Sequence, residues 1–224
     1  MKRLIVAIDG PAGAGKSTVG RLLAGRLGYR YIDTGAMYRA MALKACRMGV
    51  DFTDAEALGT CSRATTIALC GDLTHPRVIL DGEDVSSEIR TQRMSELASK
   101  VSTYREVRDA LLSKQRDLGR EGGVVLDGRD IGTVVFPEAD VKFFLDAAVE
   151  ERSARRFREL VEQGESAELE DVRRKMRERD AQDSNRECAP LQKAPDAIVV
   201  DSTALSPEGV VDRMERHIEA LFRV

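Results

Sequence analysis

An apolar run, Leu4-Ile5-Val6-Ala7-Ile8, leads directly into Gly10-Pro11-Ala12-Gly13-Ala14-Gly15-Lys16-Ser17, and Thr18 then opens a stretch of helical spacing. A continuously apolar strand that enters a GxxxxGK[ST] loop and leaves through a helix is the first unit of an open, mostly parallel α/β sheet. The loop is equally restrictive chemically. Its glycines let successive N–H groups converge on phosphate oxygens, Lys16 brings a point charge to β- and γ-phosphates, and the Ser17 hydroxyl suits Mg²⁺. Val19, Leu22, Leu23 and Leu27 recur at helical spacing before Gly28, which sets the loop on a helix N-terminus whose partial positive charge favours anions. Gly10 to Thr18 are therefore expected to cradle a nucleotide's phosphates.

Further apolar runs at Val124–Leu126, Val141–Leu145 and Ile198–Val200, with a shorter one at Tyr29–Ile32, predict a five-stranded parallel sheet. Helices are expected at Ser17–Leu27, Ala36–Arg47, Tyr104–Leu118, Val149–Gln163, Leu169–Asp183 and Pro207–Phe222. In the last, Ser206 and Pro207 form the start signal, and Val210, Val211, Met214, Ile218 and Leu221 form the apolar stripe. The alternation predicts a doubly wound α/β core. Two segments interrupt it. Between residues 60 and 100, Asp81-Gly82 sits between apolar residues and predicts a hairpin, hence an inserted antiparallel piece. Residues 150 to 187 carry twelve acidic and ten basic side chains and few large apolar ones, the pattern of a solvated helical pair laced with ion pairs.

Thirty-five basic against thirty-eight acidic side chains give a net charge of −3. That lacks the basic excess of a nucleic-acid-coating protein, so any phosphate handling is local. No apolar stretch approaches a membrane span and no secretory signal is visible, so a cytoplasmic location away from membranes is expected. Cys46, Cys61, Cys70 and Cys188 form no CxxC pair, and His75 and His217 are the only histidines, which predicts reduced thiols rather than zinc or disulfides.

Two constellations add chemistry to the loop. Val124-Val125-Leu126-Asp127 is a strand ending in a carboxylate, a Walker B-like arrangement in which Asp127 would hold Mg²⁺ directly or through water. Gly128-Arg129-Asp130 then enters the crevice at the carboxyl ends of the strands, where open α/β sheets bind ligands. In Glu178-Arg179-Asp180-Ala181-Gln182-Asp183-Ser184-Asn185-Arg186, Arg179 and Asp183 share one helix face and Arg186 follows within a turn. Fixed cations of this kind are what phosphoryl transfer requires, because the moving group carries its charge on three equatorial oxygens.

Asp33-Thr34-Gly35-Ala36-Met37-Tyr38-Arg39, Asp127 through Pro137, and Glu178-Arg179-Asp180 with Asp183, Arg186 and Ala189-Pro190-Leu191 together resemble the bacterial cytidylate kinases. The resemblance spans nearly the whole chain. It includes the segment between residues 60 and 100, which is similar to the extension that separates this group from the shorter eukaryotic UMP/CMP kinases. It implies a phosphate-loop kinase core over residues 1–33, 103–149 and 188–224, a nucleoside monophosphate-binding domain over 34–102 and a helical lid over 150–187. It further implies ATP as phosphate donor with Mg²⁺ and CMP or dCMP as acceptor; a monomer is expected. Arg39, Arg129 and Arg186 would bind the acceptor phosphate, and Arg179 and Asp183 the ribose and the transferring group. Thr34, Ser99, Arg108 and Asp130 would face the cytosine. Arg152, Arg155 and Arg156 would open the lid, with Arg156 among the contacts to ATP phosphates. The rival readings are another small-molecule kinase of the shikimate or dephospho-coenzyme A type and a non-catalytic nucleotide switch, the latter disfavoured because no NKxD motif occurs.

Overall fold

A computed structural model describes residues 3–162 and 164–222, with the side chain of Phe222 left aside. Five strands, β1 (Ile5–Asp9), β2 (Arg30–Asp33), β6 (Val124–Gly128), β7 (Val141–Asp146) and β8 (Ile198–Asp201), form one parallel sheet in the order β2-β6-β1-β7-β8. Alternate residues of β1 face opposite layers, and both layers are buried. Val6 and Ile8 pack with Val19 and Leu23 of α1 (Lys16–Leu27) and with Val210, Met214 and Ile218 of α8 (Pro207–Phe222). Ala7 packs on the other side with Ile32, Leu126 and Ile131, closed by Leu112 and Leu118 of α5 (Arg105–Gly119). Burial on both faces is why the strands read as unbroken apolar runs. The chain leaves β1 at the point where strand order reverses, so the phosphate loop stands at the topological switch point.

Local chemistry sets the element ends. α1 stops at Gly28, whose φ of 65° is left-handed. α2 (Thr34–Arg47) starts two residues earlier than its apolar stripe, because the Asp33 carboxylate accepts the Ala36 N–H at 2.8 Å. Ser206 Oγ accepts the Gly209 N–H at 3.2 Å at the head of α8. Asp81 (φ 49°) and Gly82 (φ 91°) both take positive φ in the turn joining β4 (Pro76–Leu80) to β5 (Glu83–Asp84), as the hairpin signal requires. β3 (Ile67–Gly71) completes a three-stranded antiparallel sheet.

Two helices in this region are not apparent from spacing, α3 (Ala55–Ala64) and α4 (Gln92–Val101). They pack with α2 and α5 around Met37, Met41, Leu58 and Leu111 in a second core. A single π turn, Ile131–Val135, follows β6. The charged region is a helical pair, α6 (Val149–Glu162) and α7 (Leu169–Asn185), with its own small cluster of Leu160, Val172 and Met176. Gln163, the expected end of α6, lies outside the described residues. Ion pairs one turn apart lace both helices, among them Arg155–Glu151, Arg173–Glu170 and Arg174–Glu178. Among the described residues the four cysteines are free thiols and no helix is long and apolar enough to cross a membrane.

Candidate active site

A cleft of about 1360 Å³ runs between the carboxyl ends of the strands and the α6–α7 pair, and every residue assigned a role from sequence, apart from Gly10, Pro11 and Arg152, lines it. Gly10 and Pro11 form the root of the loop. A Cβ on Gly10 would meet the Leu145 carbonyl oxygen at 2.0 Å, so the loop leaves β1 pressed against β7. Lys16 is buried, and its ammonium donates to the Pro11 carbonyl at 2.7 Å within its own loop. Ser17 Oγ donates to Asp127 Oδ2 at 3.0 Å, and Tyr31 donates to Asp127 Oδ1 at 2.8 Å. A hydroxyl and a carboxylate thus sit side by side, a pair of hard oxygen donors of the type Mg²⁺ takes.

The side of the cleft facing the phosphate loop draws on four distant segments. Asp33, besides capping α2, holds Arg39 through Oδ2 at 2.8 Å. Thr34 donates its buried hydroxyl to the Asp127 carbonyl at 2.7 Å, so the start of α2 is tied to the end of β6. Arg129 Nε donates to Asp183 Oδ2 at 2.9 Å. Asp130 is bracketed by two guanidiniums, Arg108 in a short ion pair and Arg186 at 3.5 Å, and all three are buried. Arg108 also lies 5.5 Å over the ring of Tyr38. Ser99 accepts from Gln182 Nε2 through both its carbonyl, at 3.1 Å, and its hydroxyl, at 3.3 Å, which joins α4 to α7.

The three arginines at the head of α6 divide. Arg152 is buried between the Ala12 carbonyl (3.0 Å) and Asp180 (2.7 Å), bracketing the phosphate loop to α7 without lining the cleft. Arg155 bonds the Ser202 carbonyl at 2.7 Å beside the loop. Arg156 crosses to Gln92 of α4 at 2.6 Å. Asp33, Tyr38 and Arg152 are the residues of this site whose tasks spacing does not reveal, since each acts on a partner brought in by the fold.

A family model described as cytidylate kinase matches residues 6–220. The chain belongs to the cytidylate kinase family. Among curated relatives, the cytidylate kinase of Geobacter sp. (strain M21) is 54% identical over 216 residues, covering 96% of this chain and 93% of its own. That of Geobacter sulfurreducens is 55% identical over 213 residues (95% and 91%), and that of Bacillus pumilus 48% over 213 residues (95% and 95%). The fold is shared with a solved shikimate kinase from Acinetobacter baumannii in complex with shikimate, at a TM-score of 0.50, 15% identity and coverage of 99% of this chain and 96% of that one. Membership in the cytidylate kinase family makes the chain a phosphate-loop kinase.

The electrostatics of this cleft are those of a site short of anions. Burial and then Arg129 push the Lys16 ammonium well below its usual range, and the same two causes bring Arg179 down to about 10. Against burial, Arg129 and Arg179 hold Asp183 below the ordinary carboxylate range. Burial and the nearby Asp33 push Asp127 up to about 6.

This last shift has a measurable sign. A carboxyl that titrates near 6 when folded and near 3.8 when unfolded contributes stability below pH 3.8, and that contribution is lost as pH rises through 6. Asp127→Asn removes the loss. In metal- and nucleotide-free protein the variant is expected to exceed the native chain in stability at pH 7.5, by on the order of 1–3 kcal/mol, and to match it near pH 4. Thermal melts across that range check it, and a variant destabilised at pH 7.5 contradicts the shift.

Proposed function

We propose that this chain transfers the γ-phosphoryl group of ATP to a phosphate oxygen of CMP or dCMP, giving ADP and CDP or dCDP. One observation carries the reading. Lys16, Arg39, Arg129 and Arg179 converge on one cleft, and among the described residues neither Lys16 nor Arg179 has a carboxylate partner, while Nε of Arg39 and of Arg179 is buried with no hydrogen-bond partner. Unsatisfied buried donors and mutually repelling cations are costly in an empty protein. Two phosphorylated substrates meeting head to head supply the missing acceptors.

The roles follow from position. Gly10 to Thr18 cradle the ATP phosphates from the α1 N-terminus, with Lys16 beside the γ-group and Arg155 and Arg156 closing from α6. Arg39, Arg129 and Arg186 hold the CMP phosphate, and Arg179 and Asp183 reach the ribose and the group in flight. Thr34, Ser99, Arg108 and Asp130 read the cytosine. Ser17 and Asp127 would hold Mg²⁺, which supplies neutralisation of charge on the β and γ oxygens. An acceptor oxygen forms its bond to the γ-phosphorus as the bond to the β,γ-bridging oxygen breaks, and the electron pair leaves on ADP. The acceptor phosphate is already an anion, so no protein base is needed; positioning and charge neutralisation are the protein's contribution. Residues 34–102 act as the acceptor domain and 150–187 as a lid that excludes water, on a core of 1–33, 103–149 and 188–224. The working unit in this reading is a monomer.

³¹P NMR of the protein with ATP, Mg²⁺ and CMP tests the reaction: ADP and CDP appear in equal amounts. Inorganic phosphate in place of CDP contradicts it. Arg39 gives a test of the acceptor clamp, because its side chain is only partly buried and its partner Asp33 also reaches solvent. Arg39→Ala should fold, raise KM for CMP about tenfold or more and leave ATP binding within about twofold, since a charge-assisted hydrogen bond is worth about 1.5–3 kcal/mol. An unchanged KM for CMP in steady-state kinetics contradicts the clamp.

A further inference from the structure

β1 ends at Asp9, one residue before the phosphate loop, and this side chain is 5% exposed. Its two oxygens each accept one backbone N–H from the chain that follows the neighbouring strand β6: Oδ1 from Ile131 at 2.8 Å and Oδ2 from Gly132 at 2.7 Å. Those amides begin the π turn that follows Asp130, and the first amides of any helical turn have no acceptor within it. Asp130 supplies no side-chain cap, so the cap comes from Asp9, more than 120 residues away in sequence. In the parallel register Asp9 lies opposite Gly128, directly before the pair Arg129-Asp130.

Both ends of this link are closely packed. On one side, Gly10 is pressed against the Leu145 carbonyl, which fixes the chain leaving β1. On the other, a Cβ on Gly132 would stand 3.0 Å from Lys142 Cδ and 3.4 Å from Asp9 Oδ2, so the turn has closed on the carboxylate. Lys16, the nearest cation of the phosphate loop, donates to Pro11 rather than to Asp9. Among the described residues the two turn amides are the hydrogen-bond partners of the Asp9 carboxylate. A buried carboxylate is costly to keep, and here burial pushes its pKa up to about 6. An asparagine of the same shape accepts only one N–H and turns its own amide donor toward the other.

We propose that Asp9 is a positioning residue for the acceptor nucleotide, capping the turn that aims Arg129 and Asp130 and fixing both relative to the phosphate loop. Arg129 reaches Asp183 and Asp130 reaches Arg108 and Arg186, so a tilt of this one turn displaces the phosphate clamp and the base-reading pair together. The donor phosphates, held by the loop on the other side of Asp9, are not displaced.

The proposal rests on the cytidylate kinase reading, and wild-type turnover of CMP, measured first, tests that reading separately. Asp9→Asn is then compared with wild type. The expected result is a KM for CMP raised about tenfold or more and a narrowed kcat/KM ratio of CMP to UMP, with the dissociation constant of ATP measured without acceptor staying within about twofold. Unchanged CMP kinetics in a folded variant, or an equal loss of ATP binding, overturns the proposal. Amide exchange of the native protein decides the matter even if the variant does not fold. Ile131 and Gly132 must exchange slowly before any acceptor is bound, and free exchange at those two amides in the unliganded protein equally overturns it.

Discussion

Lys16→Ala is expected to lower kcat by about 100-fold or more in a protein that folds as well as the native chain. Removing one preorganised charge from the place where negative charge develops costs two to three orders of magnitude in comparable sites. The fold persists because the ammonium contributes little to it. Lys16 is buried, has no carboxylate partner among the described residues and is pushed toward its neutral form by burial and by Arg129. The ammonium donates to the Pro11 carbonyl of its own loop. Thermal melts should show the variant unchanged or stabilised, while a coupled assay shows the loss of turnover. Near-native turnover contradicts the assignment of this loop to the transferring phosphate.

Asp130→Asn carries the second large effect, and it has two separable parts. The native carboxylate balances two buried guanidiniums, Arg108 and Arg186, and removing the charge leaves both short of a partner. Arg186 belongs to the proposed phosphate clamp, so efficiency should fall for every pyrimidine monophosphate. A further loss should fall on cytosine alone. Its N4 amine donates where the O4 of uracil accepts, and a carboxylate offers only acceptors. An asparagine offers both. The kcat/KM preference for CMP over UMP should therefore shrink by about 1–3 kcal/mol on top of the shared loss. A ratio that survives the substitution assigns Asp130 to structure rather than base reading.

The parts of this fold legible in the sequence are those where local pattern and tertiary demand agree. β1, the loop and α1 are signalled together by an apolar run, glycine spacing and a helical stripe, and the Asp81-Gly82 hairpin by two residues that tolerate positive φ. α3 and α4 are not legible. Each is only ten residues long; α3 buries one large apolar side chain, Leu58, and in α4 the helical spacing of Met94, Ala98 and Val101 runs for only two turns. Their helical state comes from packing against α2 and α5 and from the caps Asp54 and Thr91.

The site divides in the same way. Residue type and motif point to Lys16, Ser17, Asp127, Arg129, Arg179 and Arg186, because cations and hard oxygens near a phosphate loop have few other uses. Pairing is hidden, since Arg129 finds Asp183 54 residues on and Asp130 finds Arg186 56 residues on. Arg152 shows the limit of charge as a guide. Next to Arg155 and Arg156 in sequence it looks like one more lid cation, yet it is buried against the Ala12 carbonyl and Asp180 and serves as a bracket. Tyr38 carries no charge to attract attention, and its place under Arg108 exists only in the folded chain.

The measurement that bears most directly on the function is kcat/KM of the native protein, with ATP and Mg²⁺, for CMP, dCMP, UMP, AMP, GMP and shikimate under one set of conditions. CMP and dCMP should exceed UMP by well over tenfold, with the purine monophosphates and shikimate slower still, because the proposed reading sets the paired Asp130 carboxylate and Arg108 guanidinium against the edge of a cytosine. Equal efficiencies for CMP and UMP, or a non-nucleotide acceptor used better than either, would contradict the cleft's assignment to cytidine monophosphates.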